Sequence, residues 1–403
     1  MPLAALLAKN GHLVRGYDVD ANLSSAIEDR KFISNEPNLV EILKSCTENL
    51  HIMQSVSEAV ADSELVFVIV PTPSLDTGHF TNKYVLKVIE EIGLAIMNHN
   101  KIVVDIVSTV MPGSCNGEIK EKLETSSKRK IGENLGLCYN PEFIALGSVI
   151  HDMQYPDMHL IGESSPWAGD VVSLALKSIV KREVPVMKLN LTEAELVKIS
   201  VNNFVTMKIS FANLLMQCTS TFKEININSI TNAIGLDSRI GSKYLKAATP
   251  YGGPCFPRDT RALSALFKDL GIDSALSTAT ETINNSHLRF IYNRITDKID
   301  KGSIIGVAGL SYKKGTQVVE ESPGMLIAEM LISNGYKIKT WDDEGAKLNN
   351  SLSSESYESL ETGELLINQS DFLVITRSIK NGDEFFKQLT SSEKPYLDFW
   401  GHS

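Results

Sequence analysis

The sequence predicts an α/β chain in which two doubly wound parallel-sheet domains are joined by a helical middle. Three observations carry that prediction. Short, uninterrupted apolar runs alternate with helical stretches over the first 188 residues. From Thr192 to Phe267 helices run without strong strands, and at 302–309 the run GSIIGVAG restarts the alternation. A chain of 403 residues is also too long for one core. The boundaries read from these shifts are 1–188, 189–285 and 286–403.

Taken in order, residues 4–9 read as a helix stopped by Asn10 and Gly11, and 13–17 as a short apolar strand ending at Asp18. ELVFVIVP at 64–71 and KIVVDI at 101–106 are continuous apolar strands, the pattern of a sheet covered on both faces. Residues 135–139 are a third strand, and 82–97 a helix between the first two. A long helix is expected over 193–222, with Leu196, Ile199, Phe204, Met207 and Phe211 at helical spacing, a stripe read as core packing. A second long helix, 274–299, leads to the last domain. There a helix at 325–334, strands at 337–341 and 371–376, and a polar loop at 351–359 complete the pattern.

Composition narrows the function classes. Hydrophobic residues make up 43% and charged residues 22%, ordinary values for a globular protein. A formal net charge of -10 argues against nucleic acid or an anionic membrane as partner. No uncharged apolar run reaches ~18 residues, and no basic segment precedes the apolar start, so a cytoplasmic protein is expected. The 5 cysteines are scattered and never spaced as CxxC, which fits reduced thiols and neither a disulfide scaffold nor a metal site. Cys46, Cys115, Cys138 and Cys218 read as small buried hydrophobes, and Cys255 does not.

Cys255 lies in PYGGPCFPRDTR, 250–261. Gly252 and Gly253 let backbone approach a ligand, Pro254 and Pro257 stiffen the chain, and Asp259 follows four residues after the thiol. A stiff, polar, accessible mount is what a nucleophilic cysteine needs. The stretch resembles the GFGGSCFPKD signature of the UDP-glucose/GDP-mannose dehydrogenase family. Further blocks resemble that family's motifs in its own order. Ser108-Thr109-Val110 with Pro112-Gly113 is similar to STVPPG, and Asn140-Pro141-Glu142-Phe143 to NPEF, continued by Asp152 and Pro156-Asp157. Lys198 and Asn202 resemble a K-x-x-x-N pair, and Asp237, Arg239, Ile240, Gly241 and Lys246 a DxRIG…LK segment. Gly309-Leu310, Tyr312-Lys313, Thr316 and Ser322-Pro323 resemble GLxFKxxTDDxRxSP.

The resemblance implies two Rossmann-like domains around a helical dimerisation domain, and an NAD-dependent four-electron oxidation of a sugar CH2OH to a carboxylate. The nucleotide-diphospho-sugar substrate is first expected to be UDP-glucose, because CFPRD is closer to the UDP-glucose and GDP-mannose branches than to the GGHCIPVD of UDP-N-acetylhexosamine enzymes. Cys255 would carry the thioester, Asp259 would assist it, Glu142 would serve as general base, and Thr109 would position a water. Lys198 and Asn202, one turn apart on a helix, could meet a developing negative charge from one face. Asp18, Thr72, Pro73, Ser108 and Thr109 are the NAD candidates, Asp18 favouring NAD over NADP through the ribose hydroxyls. Glu142, Phe143, Lys198, Asn202, Arg239, Tyr244, Lys246, Gly252, Gly253 and Lys313 are the substrate candidates. Arg239 would reach the neighbouring subunit's substrate, which implies a homodimer or larger homo-oligomer. No metal is expected.

The sequence also departs from the family pattern. No GxGxxG turn precedes Asp18, so a strand and glycine turn of about 10–15 residues is expected ahead of Met1, and weak NAD binding without it. Leu146 replaces a frequent glutamate, Met158 an arginine, Arg258 a lysine, Glu320 an arginine, and Gln317-Val318 two aspartates. These departures leave a catalytically impaired sugar-nucleotide-binding homologue as one alternative. Another is a two-electron β-hydroxyacid dehydrogenase, which would give Cys255 and the last domain no task.

Overall fold

The computed structural model describes every residue except 47, 223, 349–356, 380–381 and 402–403. Of the polar loop expected at 351–359, residues 351–356 therefore lie outside the described residues. The chain forms two compact units, Met1–Ser200 and Val201–Ser403.

In the first unit, strands β1 (Val14–Gly16) and β2 (Leu50–Ile52) pair in parallel as a sheet of their own. Strands β3 (Leu65–Val68), β4 (Ile102–Ile106), β5 (Leu135–Tyr139), β6 (His159–Glu163) and β7 (Val186–Leu189) form a second sheet in that order. Every residue of β4 and β5 is buried, as the apolar runs predict. Period-2 alternation then sorts them. Val103, Cys138 and Ile161 face one core with Leu6, Val172 and Leu176, while Ile102, Val104, Ile106, Leu135 and Leu137 face the other with Val85, Ile89 and Ile92. β3 is shorter than the apolar run 64–71, because at Val70 the backbone N–H turns to the Ser108 hydroxyl at 2.8 Å. One pairing is antiparallel, β5 with β6, over only Cys138↔Glu163 and Tyr139↔Gly162.

In the second unit, helices Ile227–Leu236, Phe256–Asp269 and Ala275–Thr296 accompany the part of the long helix that belongs there. They precede a parallel sheet of β8 (Ile304–Ala308), β9 (Lys337–Trp341), β10 (Tyr357–Ser359), β11 (Phe372–Ile375) and β12 (Tyr396–Asp398). Its spatial order is β10-β9-β8-β11-β12, the 3-2-1-4-5 arrangement of a Rossmann-like sheet.

The long helix, Leu191–Thr219, has a legible beginning. The Asn190 side chain accepts from the Glu193 N–H at 2.9 Å, and the Glu193 carboxylate accepts from the Asn190 N–H at 2.9 Å, a reciprocal capping box. Two expectations need correction. The stripe read as core is only partly buried: Ile199 is, but Leu196, Phe204 and Phe211 stay exposed in the single chain, because helical spacing marks an apolar face without saying what covers it. Cys218 is exposed as well, since it falls in the last turn of that helix, while Cys46, Cys115 and Cys138 are buried.

Asp105 breaks the apolar run of β4. It is fully buried, and neither carboxylate oxygen has a hydrogen-bond partner. Burial, and secondarily the charge of Glu142, pushes it well above the usual carboxylate range. The folded chain therefore holds a proton that the unfolded chain releases above the ordinary aspartate pKa of about 3.9, so this group costs stability as pH rises from there. Asp105→Asn, which cannot ionise, is expected to remove this pH dependence, so that its stability relative to the parent rises from pH 4 to pH 8. Denaturant titrations at both pH values check it; parallel stability curves for the two proteins would rule it out.

Candidate active site

Cys255 is exposed and forms the N-cap of helix Phe256–Asp269, with Pro257 in the first turn fixing φ where no N–H is needed. Gly253 has φ +81°, a conformation a side-chain-bearing residue rarely takes, so the turn into Cys255 depends on glycine there. Asp259 is on the same first turn and only 1% exposed. Its carboxylate accepts from the Asn202 amide at 2.6 Å and from Arg258 Nε at 3.3 Å. The Asn203 amide donates to the Asp259 carbonyl at 2.9 Å, fastening this helix to the long one. Tyr244, itself at φ +62°, sets its exposed ring edge-on to Phe256, 6.2 Å between centroids. Of the more distant candidates in this unit, Lys246 lies over the Trp400 ring at 5.6 Å and Lys313 is half-buried. Arg239 is largely exposed and forks onto Asp237, the next-but-one residue before it.

The first unit assembles a second group. Lys198 is buried, donates to the Glu142 carbonyl at 2.6 Å, and holds its ammonium 4.6 Å from the centre of the Phe143 ring. Burial raises the Glu142 carboxyl to about 7, against the opposing pull of the terminal amine and Lys198. Ser108 and Thr109 follow β4. The Ser108 hydroxyl bridges to the Val70 carbonyl at 2.7 Å, and the buried Thr72 hydroxyl donates to the Thr109 carbonyl at 2.7 Å. Sequence reasoning missed Glu195, three residues before Lys198. This buried carboxylate accepts from the Gly113 N–H at 2.6 Å and the Cys115 N–H at 2.7 Å, so it pins the loop that begins at Ser108. Its one local signal was an acid on the buried side of a helix.

Three consecutive segments match the UDP-glucose/GDP-mannose dehydrogenase family: its NAD binding domain at residues 1–180, its central domain at 192–286 and its UDP binding domain at 306–401. A UDP-glucose 6-dehydrogenase of Rickettsia bellii is 31% identical over 374 residues, covering 91% of this chain and 84% of its own. The chain belongs to the UDP-glucose/GDP-mannose dehydrogenase family. A GDP-mannose 6-dehydrogenase of Pseudomonas aeruginosa is 29% identical over 424 residues, 99% of this chain and 93% of its own. The solved UDP-glucose dehydrogenase of Pyrobaculum islandicum superposes with a TM-score of 0.90 at 28% identity, covering 99% of this chain and 91% of that one.

Membership in this dehydrogenase family makes the chain an NAD-dependent nucleotide-sugar 6-dehydrogenase with NAD as its cofactor. The candidate NAD residues lie just after strands of the first unit. Asp18 follows β1, Thr72 and Pro73 follow β3, and Ser108 and Thr109 follow β4. These are the carboxyl ends of parallel strands, where open α/β sheets bind nucleotides. Asp18 is exposed, and one of its carboxylate oxygens accepts from the Asp20 N–H at 2.9 Å. No described helix is long and apolar enough to cross a membrane, and no described His, Cys, Asp and Glu group could hold a metal ion.

Proposed function

We propose that this dehydrogenase oxidises the C6 alcohol of a nucleoside-diphospho-sugar to the uronate in two stages through a thioester on Cys255, with UDP-glucose as substrate. The observation that carries the reading is an exposed thiol on a glycine–proline turn, one helical turn from a buried carboxylate already hydrogen-bonded to Asn202. Bound NAD would be the hydride acceptor in each oxidation. Asp18, Thr72, Pro73, Ser108 and Thr109 would hold it. Cys255 adds to the aldehyde as a thiohemiacetal, and its oxidation leaves a thioester that water hydrolyses. Lys198 and Asn202 stabilise negative charge on the reacting oxygen, and Asp259 orients Asn202. Glu142 takes the proton from the attacking water, with Thr109 positioning that water. Phe143, Tyr244, Lys246, Gly252, Gly253 and Lys313 grip the sugar nucleotide, the lysines on its phosphates.

UDP is favoured because the last segment matches a UDP binding domain and the relative at 31% identity is a UDP-glucose 6-dehydrogenase. GDP-mannose and UDP-N-acetylhexosamines are the competitors. We also read the chain as a homodimer, since Phe204, Phe211 and Leu214 leave an apolar face open on the long helix and Arg239 extends into solvent.

A panel of sugar nucleotides scored by NADH stoichiometry tests the function: the expected result is two NADH per UDP-glucose. One NADH would indicate a simple alcohol dehydrogenase, and none a binding homologue. Because Glu142 must be ionised to act as a base, turnover is expected to fall as pH drops through about 7. Glu142→Gln should abolish that limb of the profile and leave acylated Cys255 detectable by mass. A profile unaltered by Glu142→Gln would remove it from the reaction.

A further inference from the structure

The turn that carries Cys255 is gripped by one loop of the C-terminal α/β domain. The Gly253 N–H donates to the Glu320 carbonyl at 3.1 Å. A methyl group at Gly252 would run into the Glu321 carbonyl oxygen, and one at Gly253 into the face of the Tyr312 ring. Tyr312 is in turn fixed by its own N–H, which donates to the Val318 carbonyl at 2.9 Å and closes the 312–318 segment into a loop. The side chains add a second hold. Arg261, on the helix that Cys255 caps, forks both terminal nitrogens onto the Glu321 carboxylate, with Nη1 to Oε2 at 3.2 Å. Glu281 faces the same guanidinium at 3.5 Å. Glu321 has φ +46°, a strained value for a residue with a side chain, which persists only where surrounding contacts over-determine it.

Neither Arg261 nor Glu321 has a role in the reaction proposed above, yet together they determine where the nucleophile's turn sits. We propose that Arg261 and Glu321 are positioning residues for Cys255: their ion pair, with the Tyr312 ring as a brace, registers the thiol's turn on the nucleotide-sugar domain. Tyr312 stands close enough to Cys255 that the thiol's charge adds to burial in pushing the phenol up to about 12. The ring is therefore a neutral brace at every working pH. This inference rests on Cys255 as nucleophile, but its first readout does not need turnover.

That readout is the rate at which iodoacetamide alkylates Cys255 in the full chain, followed on the Cys255 peptide by mass across a range of pH. Peptide resolution separates it from Cys218, the other exposed thiol. Glu321→Gln and Arg261→Gln are each expected to shift the alkylation profile by about threefold or more in rate. Each should lower kcat by about 10–100-fold, as displaced catalytic groups do, with KM for the sugar nucleotide little altered. Arg261→Glu with Glu321→Arg in one chain should recover most of what either reversal loses alone, which general destabilisation would not do. Should either reversal fail to fold, the two neutral variants carry the test. Unchanged alkylation and kcat in both neutral variants would overturn the proposal, as would a double swap no better than its singles. Altered alkylation in a protein with no turnover on any sugar nucleotide would instead sink the catalytic reading and leave the positioning role standing.

Discussion

Cys255→Ser is expected to eliminate release of two NADH per sugar, lowering turnover by on the order of 10³-fold or more. A serine hydroxyl has the right reach but the wrong acidity. It is un-ionised where a thiol is partly thiolate, so it captures the aldehyde poorly, and an oxygen ester is a poorer acyl donor to water than a thioester. The surroundings should not change, because Cys255 is exposed and its backbone conformation is set by Gly253 and Pro254. Sugar-nucleotide affinity should therefore stay within a few-fold of the parent, measured by calorimetry, while NADH release is followed by absorbance. A serine variant that still delivers two NADH at near-parental rate would show that the thiol is not the nucleophile.

The second large effect belongs to the long helix. Lys198→Ala and Asn202→Ala are each expected to slow catalysis by roughly 10²–10³, the usual cost of losing a donor to a developing oxyanion. Lys198 is buried, with its ammonium between the Glu142 carbonyl and the Phe143 ring. Asn202 is held differently, through the Asp259 carboxylate. Its loss should therefore couple to Asp259→Asn, and the pair should be less than additive in kcat. If both donors serve one oxygen, Lys198→Ala and Asn202→Ala will be less than additive as well. Single variants with parental kcat would remove Lys198 and Asn202 from the chemistry.

Several features needed nothing beyond local sequence. The apolar runs at 101–106 and 135–139 are the buried strands β4 and β5, because a strand covered on both faces must be apolar at every position. The long helix expected over 193–222 forms as Leu191–Thr219, because apolar residues at helical spacing are a property of the segment itself. PYGGPCFPRD singled out the thiol, since glycine and proline constrain only their own neighbourhood. The same locality explains the failures. Helical spacing gave Phe204 and Phe211 an apolar face but could not say that no described segment covers them.

What the tertiary structure decided are pairings over long sequence separations. Asp105 sits in a legible strand, but that its carboxylate finds no partner depends on which side chains β5 and the covering helices bring opposite. Glu195 reaches backbone N–H groups about 80 residues earlier, and Arg261 meets Glu321 60 residues later. A charged residue in a helix carries no mark of the partner it will find. That choice is made when strands take their order in the sheet and helices take their faces, because only then do distant side chains come within hydrogen-bonding distance of one another.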